Sequence, residues 1–107
     1  MELKEKTCTA CEGNEKPFTK EESNRLLESL NKDWVIVDNK MLKKQFPFEN
    51  FKRGMAFAQE IAMIAEQQNH HPDLSIHYDN VEINLSTHAI GGLSENDFIM
   101  ADKIDNL

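Results

Sequence analysis

Pro72-Asp73-Leu74-Ser75-Ile76-His77-Tyr78-Asp79-Asn80-Val81-Glu82-Ile83-Asn84-Leu85 alternates apolar and polar side chains on either side of an Asp-Asn pair. Period-two alternation puts Leu74, Ile76 and Tyr78 on one face of a first strand and Val81, Ile83 and Leu85 on one face of a second. Asp79-Asn80 is read as the turn, and so short a connection permits only antiparallel pairing. Pro72 closes whatever precedes it, because its ring cannot continue a helix and biases His71 towards extended backbone.

Upstream, from Glu49 to about Gln68, the period changes. Phe51, Met55, Ala58, Ala62 and Ala65 recur in steps of three and four, with Phe57, Ile61 and Ile64 widening the stripe, which predicts the longest helix. Before it, Trp34-Val35-Ile36-Val37 and Met41-Leu42-Lys43-Lys44-Gln45-Phe46 flank Asp38-Asn39 and predict another hairpin. Thr19-Lys20-Glu21-Glu22 has the form of a capping box, and Leu26, Leu27 and Leu30 extend a short helix to about Leu30. Gly91-Gly92 breaks the chain after the last strand. Ser94 and Asp97 then open a final helix, with Leu93 placed to staple against Phe98 and with Phe98, Ala101 and Ile104 turned inward.

The order α-β-β-α-β-β-α, with one apolar face per strand, predicts an α+β fold: a two-layer sandwich in which three helices cover one face of a four-stranded antiparallel sheet. At 107 residues the chain suits one domain. Residues 1–17 are expected to be a polar, loosely ordered leader and residues 18–107 the domain. Against 19 acidic residues stand 12 Lys and Arg, for a formal charge of −7, the wrong sign for a protein that gains affinity by neutralising phosphates. No stretch approaches the apolar length of a membrane span, and the expected location is the cytoplasm. Cys8 and Cys11 form a lone C-x-x-C, too close together to staple a fold and half of a four-cysteine metal site.

Three histidines carry the functional signal. His70 and His71 fall between the long helix and the third strand, and His88 lies just past the fourth; pairing of those strands brings all three to one end of the sheet. Imidazole titrates near neutrality, so a pair can hold one acid and one base at once, as an elimination or hydration requires. A zinc site built from these histidines with Asp97 or Glu66 is the rival, but none of the usual zinc spacings is present. No phosphate-cradling glycine loop and no nucleophile motif occurs, so neither a nucleotide cofactor nor covalent catalysis is indicated.

The run Glu66-Gln67-Gln68-Asn69-His70-His71-Pro72, followed by Tyr78, Thr87-His88 and Asp97, resembles the signature of the pterin-4a-carbinolamine dehydratase family. Two positions depart from the usual pattern: Asn69 where many relatives are acidic, and Leu74 where many carry Trp. The resemblance implies dehydration of 4a-hydroxytetrahydrobiopterin or a related pterin to the quinonoid dihydropterin without metal or organic cofactor, in the recycling that follows aromatic amino-acid hydroxylation. It implies that His70 and His88 share the acid and base roles, that His71 orients the pterin, and that Glu66, Asn69, Thr87 and Asp97 contact substrate or support the histidines. It also implies a functional link to an aromatic amino-acid hydroxylase and a homodimer or homotetramer, for which Ser75, His77, Glu82, Asn84 and Ser86 offer a polar sheet face. A different class of function, a protein-binding or dimerisation module resembling a transcription coactivator, would keep the same fold.

Overall fold

The computed structural model describes residues 6–9, 16–30 and 33–107. Its elements run α1 (Lys20–Leu27), β1 (Val35–Val37), β2 (Met41–Pro47), α2 (Phe51–Gln68), β3 (Asp73–His77), β4 (Asn80–Leu85) and α3 (Glu95–Asp105). This is the α+β order expected, with one four-stranded sheet in the spatial order β1-β2-β4-β3 and every pairing antiparallel.

The central strand, β4, buries Val81, Ile83 and Leu85 completely while Asn80, Glu82 and Asn84 alternate on the other face. Each such side chain removed from water contributes about 1.5–3 kcal/mol. Leu42 from β2, Ile61 and Ala65 from α2, and Leu93, Phe98, Ile99, Met100, Ala101 and Ile104 at α3 complete the core. Leu93 and Phe98 are both fully buried at the N-terminal end of α3, where the staple was expected.

Five details differ from the sequence expectations. The second hairpin turns on Tyr78 and Asp79, since His77 pairs with Asn80 and Ile76 with Val81; matching apolar residues across the strands outweighs the turn preference of Asn80. Tyr78 therefore sits exposed at the hairpin tip. In α2 the buried line is Gly54, Ala58, Ile61 and Ala65, whereas Phe51 is half exposed. A Cβ on Gly54 would approach Val81 Cγ2 to 3.3 Å, so the smallest residue, not the largest, marks where helix and sheet come closest. The first helix ends at Leu27, followed by tighter bonds from Ser29 N–H to Leu26 and from Leu30 N–H to Leu27. A short 3-10 turn, His88–Ile90, follows β4. Finally, residues 6–9 are tied to the domain: the Cys8 N–H donates to Gln68 and the Thr9 N–H to Asn96. The expectation of a loose leader does not extend to them, and Cys11 lies outside the described residues.

Both caps read from the sequence form. Thr19 and Glu22 exchange their hydrogen bonds, which holds the Glu22 carboxyl below its ordinary range. The first hairpin turns without glycine because Asp38 and Asn39 both take left-handed backbone, at φ 52° and 54°, which these two residue types tolerate best after Gly.

A second carboxylate network closes the far end of α3. Asp105 accepts from Lys44 Nζ at 2.7 Å on one oxygen and from Trp34 Nε1 at 2.8 Å on the other. Lys44 shares the core-facing side of β2 with Leu42 and Phe46 and lies 4.5 Å from the Phe46 ring centroid. Among the described residues no helix is long and apolar enough to cross a membrane.

Candidate active site

Helix α2 stops where the site begins. Asn69 adopts left-handed backbone (φ 53°), and the N–H groups of Asn69 and His70 both return to the Ala65 carbonyl, the reversal that ends a helix when Gly or Asn follows it. Pro72 then directs the chain into β3. Asn69 is thus a capping residue at the cleft mouth, whatever else it contacts. The sharp reversal turns His70 inward and leaves His71 outward.

His70 is mostly buried, and its Nε2 lies 2.7 Å from Asp97 Oδ1. Asp97 is the third residue of α3 and fully buried. Its other oxygen, Oδ2, accepts the Ser94 N–H at 3.0 Å and the Thr87 hydroxyl at 2.7 Å. The cap role and the histidine-supporting role therefore fall to different oxygens of one carboxylate. Thr87 gives its proton to Asp97, so the Ser94 hydroxyl, 2.8 Å away, donates to Thr87. Ser94 in turn accepts the Asn96 N–H, and every donor in the chain has one direction. A carboxylate only accepts; neutral His70 hence carries its proton on Nε2 and leaves Nδ1 as its acceptor nitrogen.

His71 pairs with Glu66 across the last turn of α2, with both side chains largely exposed. His88 opens the 3-10 turn after β4 and is exposed. His70, His71 and His88 line one cleft of about 320 Å3 together with Asn69, Ser86, Thr87, Ala89, Asn96 and Thr9. That volume is at the lower end of small-molecule sites. Glu66 and Asp97 stand behind two of the histidines and do not line it. A shallower depression of about 470 Å3 on the sheet is lined by Asp33, Val35, Lys43, Lys44, Gln45 and Glu82. Its lysines are already paired, Lys43 with Glu82 and Lys44 with Asp105, which makes it the weaker candidate despite its size.

Sequence reasoning missed Thr9, Asn96 and Ser94. Asn96 and Ser94 flank a helix start and looked purely local, while Thr9 sits in a polar leader with no periodicity to place it. Cys8, beside Thr9, has its thiol pushed up to about 11, first by burial and then by the charge of Asp97. Among the described residues no group of three or more His, Cys, Asp or Glu is arranged to hold a metal ion. His77, on the exposed side of β3, takes no part in the cleft.

Residues 16–107 match the family model described as pterin 4 alpha carbinolamine dehydratase. A protein of Nitrosomonas eutropha that carries the name of a pterin-4-alpha-carbinolamine dehydratase is 42% identical over 99% of this chain and 93% of its own. One of Legionella pneumophila with the same name is 44% identical over 99% and 95%. A crystal structure of a transcriptional coactivator/pterin dehydratase from Brucella melitensis superposes with a TM-score of 0.78 at 32% identity, covering 84% of this chain and 96% of that one. A pterin dehydratase-like RuBisCO assembly factor of the alpha-carboxysome shares the fold, at a TM-score of 0.60 and 23% identity.

Proposed function

The chain belongs to the pterin 4 alpha carbinolamine dehydratase family, and on that premise we propose that it dehydrates a 4a-hydroxytetrahydropterin, with His70 and His88 as its acid-base pair. The observation that carries this reading is the single cleft lined by His70, His71 and His88, with His70 held by a buried Asp97. In the reaction the C4a–O bond breaks as the hydroxyl takes a proton and leaves as water. The N5–H bond gives its proton to a base, and its electron pair becomes the N5=C4a bond of the quinonoid product. One group must donate while another accepts, and each is worth about 10²–10⁴ in rate.

Asp97 stabilises the imidazolium that His70 becomes on taking a proton, which suits His70 to the base role. His88 is open to solvent and suits the acid, reloaded from water after each turnover. His71, braced by Glu66, orients the ring, and Asn69 borders the same cleft. Thr87 supports Asp97 through its hydroxyl, so it acts by positioning and not by bonding substrate. The domain spans residues 18–107, acts in the cytoplasm on the pterin product of an aromatic amino-acid hydroxylase, needs no metal or organic cofactor, and associates as a homodimer or homotetramer.

The test is direct. Chemically generated 4a-hydroxytetrahydropterin is mixed with the protein, with and without chelator, and quinonoid product is followed by absorbance against the spontaneous rate. Chelator-resistant acceleration, lost in the folded His70→Ala, His88→Ala variant, supports the proposal; a folded wild-type protein that adds nothing to the spontaneous rate overturns it. The likeness to the Brucella transcriptional coactivator/pterin dehydratase favours one second reading, a protein-binding module. It would be identified by a stoichiometric protein complex without dehydration.

A further inference from the structure

Thr9 lies outside the stretch matched by the family model, 16–107, yet it lines the cleft shared by His70, His71 and His88. The segment around it is fastened at the two helix ends that carry His70 and Asp97. Gln68, in the last turn of α2, accepts the Cys8 N–H on Oε1 at 2.8 Å. Asn96, the neighbour of Asp97, accepts the Thr9 N–H on Oδ1 at 3.0 Å and donates from Nδ2 to the Thr9 carbonyl at 2.7 Å. One buried side-chain amide thereby satisfies both polar groups of one backbone residue, as a neighbouring strand would. The Cys8 thiol reaches the Asn96 carbonyl at 3.6 Å, and Lys6 pairs with Glu95 at 2.9 Å. Lys6, Cys8 and Thr9 are thus pinned across the ends of α2 and α3.

Building on the dehydratase reading, we propose that residues 6–9 form a wall of the pterin cleft, that Thr9 contacts the bound ring, and that Asn96 is the positioning residue that sets Thr9 in place. The chemistry of the strap limits it to binding. Thr9 carries no group that titrates near neutrality, and the Cys8 thiol is held protonated by burial. Its loss therefore weakens substrate binding and leaves the proton transfers to the histidines, so the effect falls on KM and not on kcat.

Cys8 supplies a reporter inside the strap. With Cys11→Ser as background, Cys8 is the chain's one thiol, and its alkylation by iodoacetamide is timed with and without saturating 7,8-dihydrobiopterin, a stable pterin whose binding is followed separately by fluorescence. Bound pterin is expected to slow alkylation about fivefold or more, because it packs against the strap and holds it down. Asn96→Ala is expected to speed alkylation of the free protein and raise KM about tenfold, with kcat within about twofold. Thr9→Trp, at an exposed position where folding is not at stake, is expected to raise KM comparably by filling the cleft. Pterin that binds without slowing Cys8 alkylation, or a KM unmoved in both variants, overturns the strap and leaves the dehydratase reading standing. A folded protein that binds no pterin overturns both.

Discussion

Helix α3 carries a buried aspartate at each end, and the two ends do opposite things. Asp97 is 0% exposed and Asp105 1%, and both use both oxygens. Asp105 lies in the last turn, where the helix dipole disfavours a carboxylate, and it is compensated by the Lys44 ammonium. Its second partner, the Trp34 N–H, does not titrate. Asp97 lies in the first turn, where the dipole favours it, and its third partner is a histidine at the edge of an open cleft. One residue type at one depth thus faces fixed donors at one end of the helix and an imidazole of the cleft at the other, and under the dehydratase proposal only the second serves the chemistry.

Removing the chemistry of the open end is expected to give the largest effect. His70→Ala, His88→Ala should lose about 10³-fold or more in initial dehydration rate on the folded fraction, below either single variant, and its melting transition should fall as well, because Asp97 Oδ1 loses its buried partner. The other end breaks differently: Asp105→Ala leaves a mostly buried Lys44 and the Trp34 N–H without their partner. A stability loss of about 3 kcal/mol in urea unfolding is expected, with kcat unchanged on the folded fraction.

The open end should also show in alkali. Cys8 ionises near 9.0 when freed by unfolding but near about 11 in the fold. Between those values the unfolded chain has released a proton that the folded chain keeps, so stability falls as pH rises from about 9 to 11. Cys8→Ala should flatten that slope in unfolding curves measured across the interval. The smallest effect is expected from Glu66→Gln, since the Glu66–His71 pair is largely exposed. Its loss should shift stability by less than about 1 kcal/mol, and a larger shift by thermal melting would show that this pair belongs with the buried networks.

How much of this was legible in the sequence follows from where the signals lie. Alternation in residues 72–85 marks the second hairpin, though its turn falls one residue earlier than Asp79-Asn80, and Pro72 with the adjacent histidines locates the end of α2, because these are local patterns. The side chains that tie distant segments leave little local trace. Lys44 shares its face of β2 with Leu42 and Phe46, an inward charge that asks for a partner, but nothing nearby points to Asp105. The stripe read for α2 holds Ala58, Ile61 and Ala65 of the buried line and misses Gly54, because apolar size was counted, whereas closeness at Gly54 sets the packing. At the site, the helix-opening role of Asp97 is local and legible, whereas its second oxygen reaches His70, 27 residues earlier in the chain. Thr9 and Asn96 could not be paired in advance, since their contact joins a leader without periodicity to a helix end.

The most direct test of the contrast between the two ends is kcat for Asp97→Asn and Asp105→Asn in the dehydration assay, corrected for folded fraction by circular dichroism. Asparagine keeps the shape and removes the charge in both places. The expected result is a drop of about a hundredfold for Asp97→Asn and a kcat within about twofold of wild type for Asp105→Asn, whose cost falls on the melting temperature. Equal kcat in the two variants would contradict the assignment of Asp97 and His70 to the reaction.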